Sequence, residues 1–170
     1  MSVRRILYLG DDPVLRRKAE PAPGVDDALR ALIADLFETM RAAEGVGLAA
    51  PQVGVGVRAF VMDVGDESLG PRAFVNPVIV ERSGRVHGEE GCLSLPGLSA
   101  EVERDARIVV EGWDERGETV RLEASDLTSR CIQHEIDHLD GLLFLDRVSP
   151  LKRKMLLKEW ERQAKEEARP

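Results

Sequence analysis

The sequence predicts an α+β fold in which mainly antiparallel β-sheets pack around a central helix, with further helices toward the N- and C-terminal ends. Three observations carry this. An apolar helical face precedes Gly45, short β-like runs follow it with few helices between them, and helical periodicity returns from Asp126. Leu29, Leu32, Ile33, Leu36, Phe37 and Met40 share one helical face, with Asp26 or Asp27 placed to cap its start and Gly45 beyond its end. Gly45 to Gly56 is rich in Gly, Ala and Pro and reads as a loop too poor in side chains to be core. Ala59–Val64, Phe74–Val80 and Arg107–Trp113 read as strands. Val120, Leu122 and Ala124 alternate with Arg121 and Glu123 as a half-buried strand does, after a hairpin turn at Asp114-Glu115-Arg116-Gly117. The stretch from Pro77 to Ala106 is the least regular and reads as a loop. A helix over Asp126–Leu139 ends near Gly141. Leu142–Leu145 is a short apolar run, and Leu151, Met155, Leu156 and Trp160 mark a last helix started near Ser149-Pro150.

With 170 residues the chain suits one domain. Its 43% hydrophobic and 32% charged residues argue against wholesale disorder. No apolar run approaches the ~20 residues that span a bilayer, and Met1 to Gly10 lacks a secretory h-region or an amphipathic transit stretch, so the expected address is cytoplasmic, with no membrane partner. A net charge of −7 argues against wrapping nucleic acid, and no DNA partner is expected. The charge is uneven: Arg147 to Pro170 holds eight Lys/Arg against four Asp/Glu. Two cysteines, Cys92 and Cys131, are too few for a disulfide scaffold and are expected to be reduced.

His134-Glu135-Ile136-Asp137-His138 is the strongest chemical signal. On a helix, residues four apart share a face, so both imidazoles can reach one metal ion, and Glu135 lies beside that face. Catalytic zinc-type sites usually take three protein ligands and keep one open position. No histidine follows His138. A thiolate is the better third candidate: Cys92 lies in a glycine-flanked loop, while Cys131, three residues before His134, reads more readily as a buried core thiol. His87 is a remaining alternative, read first as a surface histidine. The Gly45-x-Gly47-x-x-Ala50 run imitates a dinucleotide fingerprint, but it follows a helix rather than a strand.

Three separated segments resemble the peptide deformylase family: Gly45-Val46-Gly47-Leu48-Ala49-Ala50-Pro51-Gln52, Glu90-Gly91-Cys92-Leu93-Ser94, and Gln133-His134-Glu135-Ile136-Asp137-His138. Similarity also runs through Asp11-Asp12-Pro13-Val14-Leu15-Arg16 and Asn76-Pro77, so it covers nearly the whole chain. The resemblance implies a metal-binding central helix and hydrolysis of the N-terminal formyl group from formyl-methionyl nascent peptides. It implies that Cys92, His134 and His138 bind one divalent metal with water in the fourth position. Glu135 would be general base and acid, and Gln52 with the backbone N–H of Leu93 would stabilise the oxyanion. Val46 and Gly47, with Glu90 and Gly91, would border the bound peptide. Ferrous iron is the implied metal, with Zn(II), Ni(II) or Co(II) as substitutes. Residues 1–147 would form the catalytic domain and 148–170 a basic helix continuous with it, a possible ribosome contact.

Glu90 and Arg104 are expected to form an ion pair that positions the Cys92 loop, and Asp137 is either an exposed helix residue or a buttress beside the ligand histidines. One departure stands out. Where some bacterial members carry an arginine that contacts the substrate backbone, this chain has Gly97-Leu98-Ser99-Ala100. Two other function classes compete: a non-catalytic metal-holding ribosome factor, disfavoured by intact Glu135 and Gln52, and a small H-E-x-x-H peptidase, disfavoured by a cysteine ligand.

Overall fold

The computed structural model describes residues 2–166 and Arg169. The last turn of the expected C-terminal stretch, at Glu167, Ala168 and Pro170, lies outside the described residues, as does Met1. Helix α1 spans Asp27–Ala42, α2 Asp126–Leu139 and α3 Pro150–Lys165. Strands β1 (Gly47–Ala49), β2 (Ala59–Met62), β3 (Arg72–Gly91), β4 (Ser99–Trp113) and β5 (Thr119–Ser125) form one sheet in the order β1-β2-β3-β4-β5, every neighbouring pair antiparallel. The expected α+β fold is present, and α2 packs across β1, β2, β4 and β5.

Asp26 caps α1, its carboxylate accepting the Leu29 N–H at 2.8 Å, and the apolar face of α1 packs on Leu48, Val61, Ala73 and Val75. On the other side of the sheet Phe60 and Phe74 stack at 5.3 Å between ring centroids, among Ile108, Val110, Ile132 and Leu139. A third cluster joins Leu95, Leu98 and Val102 to Phe144, Leu156 and Trp160, which seats α3 on the connection between β3 and β4. Ser149 caps α3 by accepting the Lys152 N–H, and the Trp160 Nε1–H donates to Leu9 O at 3.1 Å.

Two expectations need correction. Gly45–Gly56 is not a bare loop: it contains β1 and a 3-10 turn over Ala50–Val53, with Leu48, Ala49, Ala50 and Gln52 buried. Small side chains let this segment lie tightly between α1 and α2, so its burial comes from close approach rather than from bulk. Pro77–Ala106 is not irregular either. It is most of a long hairpin, β3 of 20 residues paired with β4 of 15, joined by Cys92–Leu98. On β3 its outer part, Val80 to His87, is exposed, while on β4 Ala100, Val102 and Arg104 are buried in alternation with exposed Ser99, Glu101 and Glu103. Cross-strand ion pairs hold it, Arg82 and Arg85 to Asp105 and Arg85 to Glu103. The ladder slips at Val75/Val78, where Asn76 takes a positive φ of 51° and both accepts from and donates to the Ala22 backbone at 2.8 Å, and Pro77 has no N–H to lose.

Candidate active site

The hairpin and α2 together build the site. The ascending strand of the hairpin delivers Glu90, Gly91 and then Cys92 at its end, and α2 lies beside it with His134 and His138 one turn apart. The end of α2 is fixed sharply. Gly141, with φ +75°, donates to His138 O, and Leu142 donates to Asp137 O. A Cβ at Gly141 would lie 2.6 Å from Arg16 O, so glycine is required both for the turn and for the neighbouring chain.

The structure brings Cys92, His134 and His138 together, with one ligand-type atom of each within 4.8 Å of the others. Cys92 Sγ lies 3.3 Å from His138 Nε2. His134 Nδ1 meets Glu90 Oε1 at 2.9 Å, which leaves its Nε2 for the site. Sulfur plus two imidazoles is the donor set of a Zn(II) or Fe(II) centre, so these three side chains could hold one divalent ion. Burial and the nearby His134 push the His138 imidazole well below its usual range, which keeps it neutral and able to ligate. Burial lowers the pKa of His134 too, but the Cys92 sulfur and the Glu90 carboxylate outweigh it and raise the value.

Cys131 stays apart from this cluster. Burial, then the carboxylates of Glu135 and Glu90, push its thiol well up, and its sulfur points to Val46 O at 3.6 Å. His87 is exposed on β3, 3.6 Å from Glu101, and does not join the site.

Glu135 is buried, its carboxyl pushed up to about 7 by desolvation. Its Oε1 has no hydrogen-bond partner among the described residues. Gly47 explains how it fits: a Cβ there would stand 2.6 Å from Glu135 Oε2. Gln52, buried from the 3-10 turn, accepts the Ala49 N–H through Oε1 at 3.0 Å. This orients Nε2 toward Ser94 Oγ at 3.1 Å and Cys92 Sγ at 3.8 Å. Val46, Gly47, Gln52, Gly91, Cys92, Leu93, His134 and Glu135 border one cleft of about 1020 Å³.

Behind the histidines lies a buried ionic network. Arg104 donates to both Glu90 oxygens at 2.8 Å and to Asp137 Oδ2 at 2.6 Å. Burial opposes the charge on Glu90, yet Arg104 and His134 hold its carboxyl far below the usual range. Asp137 is buried rather than exposed and also receives Arg147. The expected Glu90–Arg104 pair is therefore present, and Asp137 is a buttress. Sequence reading missed Arg130, Arg147 and Ser94. Arg130 carried a usable signal, being four residues before His134 and thus on the same helical face. Ser99, at the departure from the arginine pattern, donates to Glu89 on the rim.

Comparison with known proteins agrees with this geometry. A description of the polypeptide deformylase family matches residues 3–154. The chain is similar to a peptide deformylase of Acidothermus cellulolyticus, with 54% identity over 93% of this chain and 86% of that one. It is also similar to the crystal structure of a peptide deformylase from Legionella pneumophila, with 42% identity, a TM-score of 0.91 and 99% of both chains covered. The deformylase of Ehrlichia chaffeensis in complex with actinonin has 40% identity and a TM-score of 0.90, covering 96% of this chain and 98% of that one. Over nearly its whole length, then, the chain belongs to the polypeptide deformylase family.

Proposed function

We propose that the chain hydrolyses the N-formyl group of formyl-methionyl nascent peptides, releasing formate and a free α-amino group, with Cys92, His134 and His138 holding one divalent cation. The observation that supports this most directly is that Glu135, Gln52, Cys92 and His134 line one cleft, with His138 meeting Cys92 and His134 behind it. The unpaired buried Glu135 Oε1 fits a site that takes water and substrate. The cation, when bound, supplies Lewis acidity and lowers the pKa of a coordinated water toward neutrality.

Glu135, its Oε1 buried and without a partner among the described residues, would take up and hold the proton there. A carboxyl raised to about 7 is well matched to taking a proton at neutral pH and giving it back to the departing amine. Gln52 donates from Nε2 to the oxygen that becomes negative as the formyl carbon turns tetrahedral. The Leu93 N–H is the second donor, and each such donor is worth about 3 kcal/mol. Neutral donors suit this task because they stay fixed while charge develops. Val46, Gly47 and Gly91 border the peptide. Glu90 also lines the cleft, but its oxygens are taken up by Arg104, Arg130 and His134, so its contribution is to orient His134.

Ferrous iron is the proposed metal, with Zn(II), Ni(II) or Co(II) as substitutes, since a soft sulfur with two imidazoles accepts each of them. Among the described residues no helix is long and apolar enough to cross a membrane, and the bacterial cytoplasm is the proposed location. Residues 1–147 are proposed as the catalytic domain, with 148–170 continuous with it. The exposed Lys152, Lys154 and Lys158 of α3 support a contact with the ribosome.

Formate release from a short formyl-Met peptide tests the reading, using protein prepared anaerobically and loaded in parallel with Fe(II), Ni(II) or Zn(II). Metal-dependent turnover is expected. Stoichiometric metal binding without turnover under any loading would replace the hydrolase by a metal-holding homologue.

A further inference from the structure

Arg130 has no part in the reaction as described, yet it is the most heavily engaged arginine near the cleft. It sits on α2 one turn before His134, with its side chain 11% exposed. Nη1 donates to Glu90 Oε2 at 2.6 Å and to Val102 O at 3.0 Å, and reaches Gly88 O at 3.4 Å, while Nη2 donates to Val86 O at 3.2 Å. Gly88 is shaped to this contact: a Cβ there would stand 2.9 Å from the Arg130 guanidinium. Val86, Gly88 and Val102 lie on the paired strands β3 and β4, with Gly88 opposite Val102.

The hydrogen bonds of Glu90 show what this does. Oε1 meets His134 Nδ1 and Arg104 Nη2, and Oε2 meets Arg104 Nε and Arg130 Nη1. Two guanidiniums therefore fix the plane of the carboxylate that orients His134. They come from different elements. Arg104 belongs to the hairpin, as Glu90 does, and reaches α2 through Asp137, beyond His134. Arg130 belongs to the same helix as His134 and bonds Glu90 itself, so it ties that helix directly to the carboxylate that meets the imidazole. A planar fork that bonds a carboxylate and strand carbonyls together cannot be reproduced by an ammonium.

We propose that Arg130 is a positioning residue that locks the β3–β4 hairpin onto α2 and, through Glu90, sets the angle at which His134 meets the metal. This rests on the proposed role of Cys92, His134 and His138 as ligands.

The test uses Arg130→Met and Arg130→Lys in the full chain, with exposed Arg107→Met as a control. Co(II) affinity is measured by competition with a chelator, and the Co(II) absorption bands are recorded. The apo proteins are melted in parallel. Arg130→Met is expected to weaken Co(II) binding about 10- to 100-fold, the range typical of partners that orient metal-ligating histidines. Its bands should shift, and Arg130→Lys should recover part of the loss. Arg107→Met should match the parent. Unchanged affinity and bands in a folded Arg130→Met would overturn the proposal. If Arg130→Met does not fold, Arg130→Lys decides: a loss of threefold or more with shifted bands supports the role, and parental values overturn it. Formate release by the parent is scored separately, so a parent that binds Co(II) but does not turn over sinks the hydrolase reading and leaves this one standing.

Discussion

Substitution separates the roles proposed for Glu135 and Cys92 from each other and from Cys131, which stands apart from the cluster. Glu135→Ala removes the proposed proton carrier but none of the proposed ligands, so bound metal should stay near one equivalent while turnover falls at least about 10²-fold. Metal analysis beside formate release checks this, and retained turnover would remove Glu135 from the mechanism. Cys92→Ser should weaken metal binding, because a hydroxyl replaces the soft anion. Cys131→Ser should leave a largely intact catalyst, as its thiol is buried, held neutral and aimed at a backbone carbonyl. Loss of metal in Cys131→Ser alone would mean that the wrong cysteine has been assigned. That Cys92, His134 and His138 come together was legible because metal chemistry restricts residue type and spacing severely. Arg130 was only half legible: its spacing from His134 places it on the same helical face, but nothing in a single sequence marks partners that are backbone carbonyls of two distant strands and a carboxylate at position 90.

At the level of elements, helices were the easy part. α1, α2 and α3 announce themselves by period and caps, and Asp26, Ser149 and Gly141 all stand where those signals placed them. Gly141 gives a direct check of that reasoning. Gly141→Ala forces a left-handed backbone on alanine and drives its Cβ into Arg16 O, so it should cost about 2 kcal/mol or more. Urea unfolding would measure the cost, and a loss under a few tenths of a kcal/mol would show that the turn relaxes. Strand lengths were harder. The hairpin was cut short at Val80 and entered again only at Arg107, because period-2 patterning records an apolar buried face: Val80 to His87 of β3 are exposed, and on β4 the buried Arg104 and Asp105 break the apolar alternation that Ala100 and Val102 begin. β1 was lost for the opposite reason: it is so closely packed that only small residues fit, and small residues resemble a loop.

The molecule as a whole leans on carboxylates held by arginines, which gives stability a definite pH dependence. Burial disfavours the charge on Asp146, but Arg16, the Leu143 N–H and Arg153 outweigh it and hold the carboxyl below its usual 3.8. Asp105 is likewise lowered, its burial offset by Arg82 and Arg85. A carboxyl with a lower pKa folded than unfolded stabilises the protein above its unfolded pKa, and that contribution drains away as pH falls through the folded value. The urea midpoint should therefore hold from pH 7 to about 5 and drop below about 4, and Asp146→Asn should flatten part of that drop. An equal acid slope in both proteins would remove Asp146 as a cause. The same arginines and acids have a consequence between molecules. Past Val75, where the pairing with β2 ends, no third strand among the described residues covers the outer side of β3. An uncovered strand edge invites another chain to pair with it. Here Pro77 interrupts the donor row, Arg130 occupies the carbonyls of Val86 and Gly88, and Glu81, Arg82, Arg85 and Glu89 crowd the remainder with charge. The residues that hid this strand from the sequence reading are the same ones that keep two copies of the protein from zipping together into aggregates.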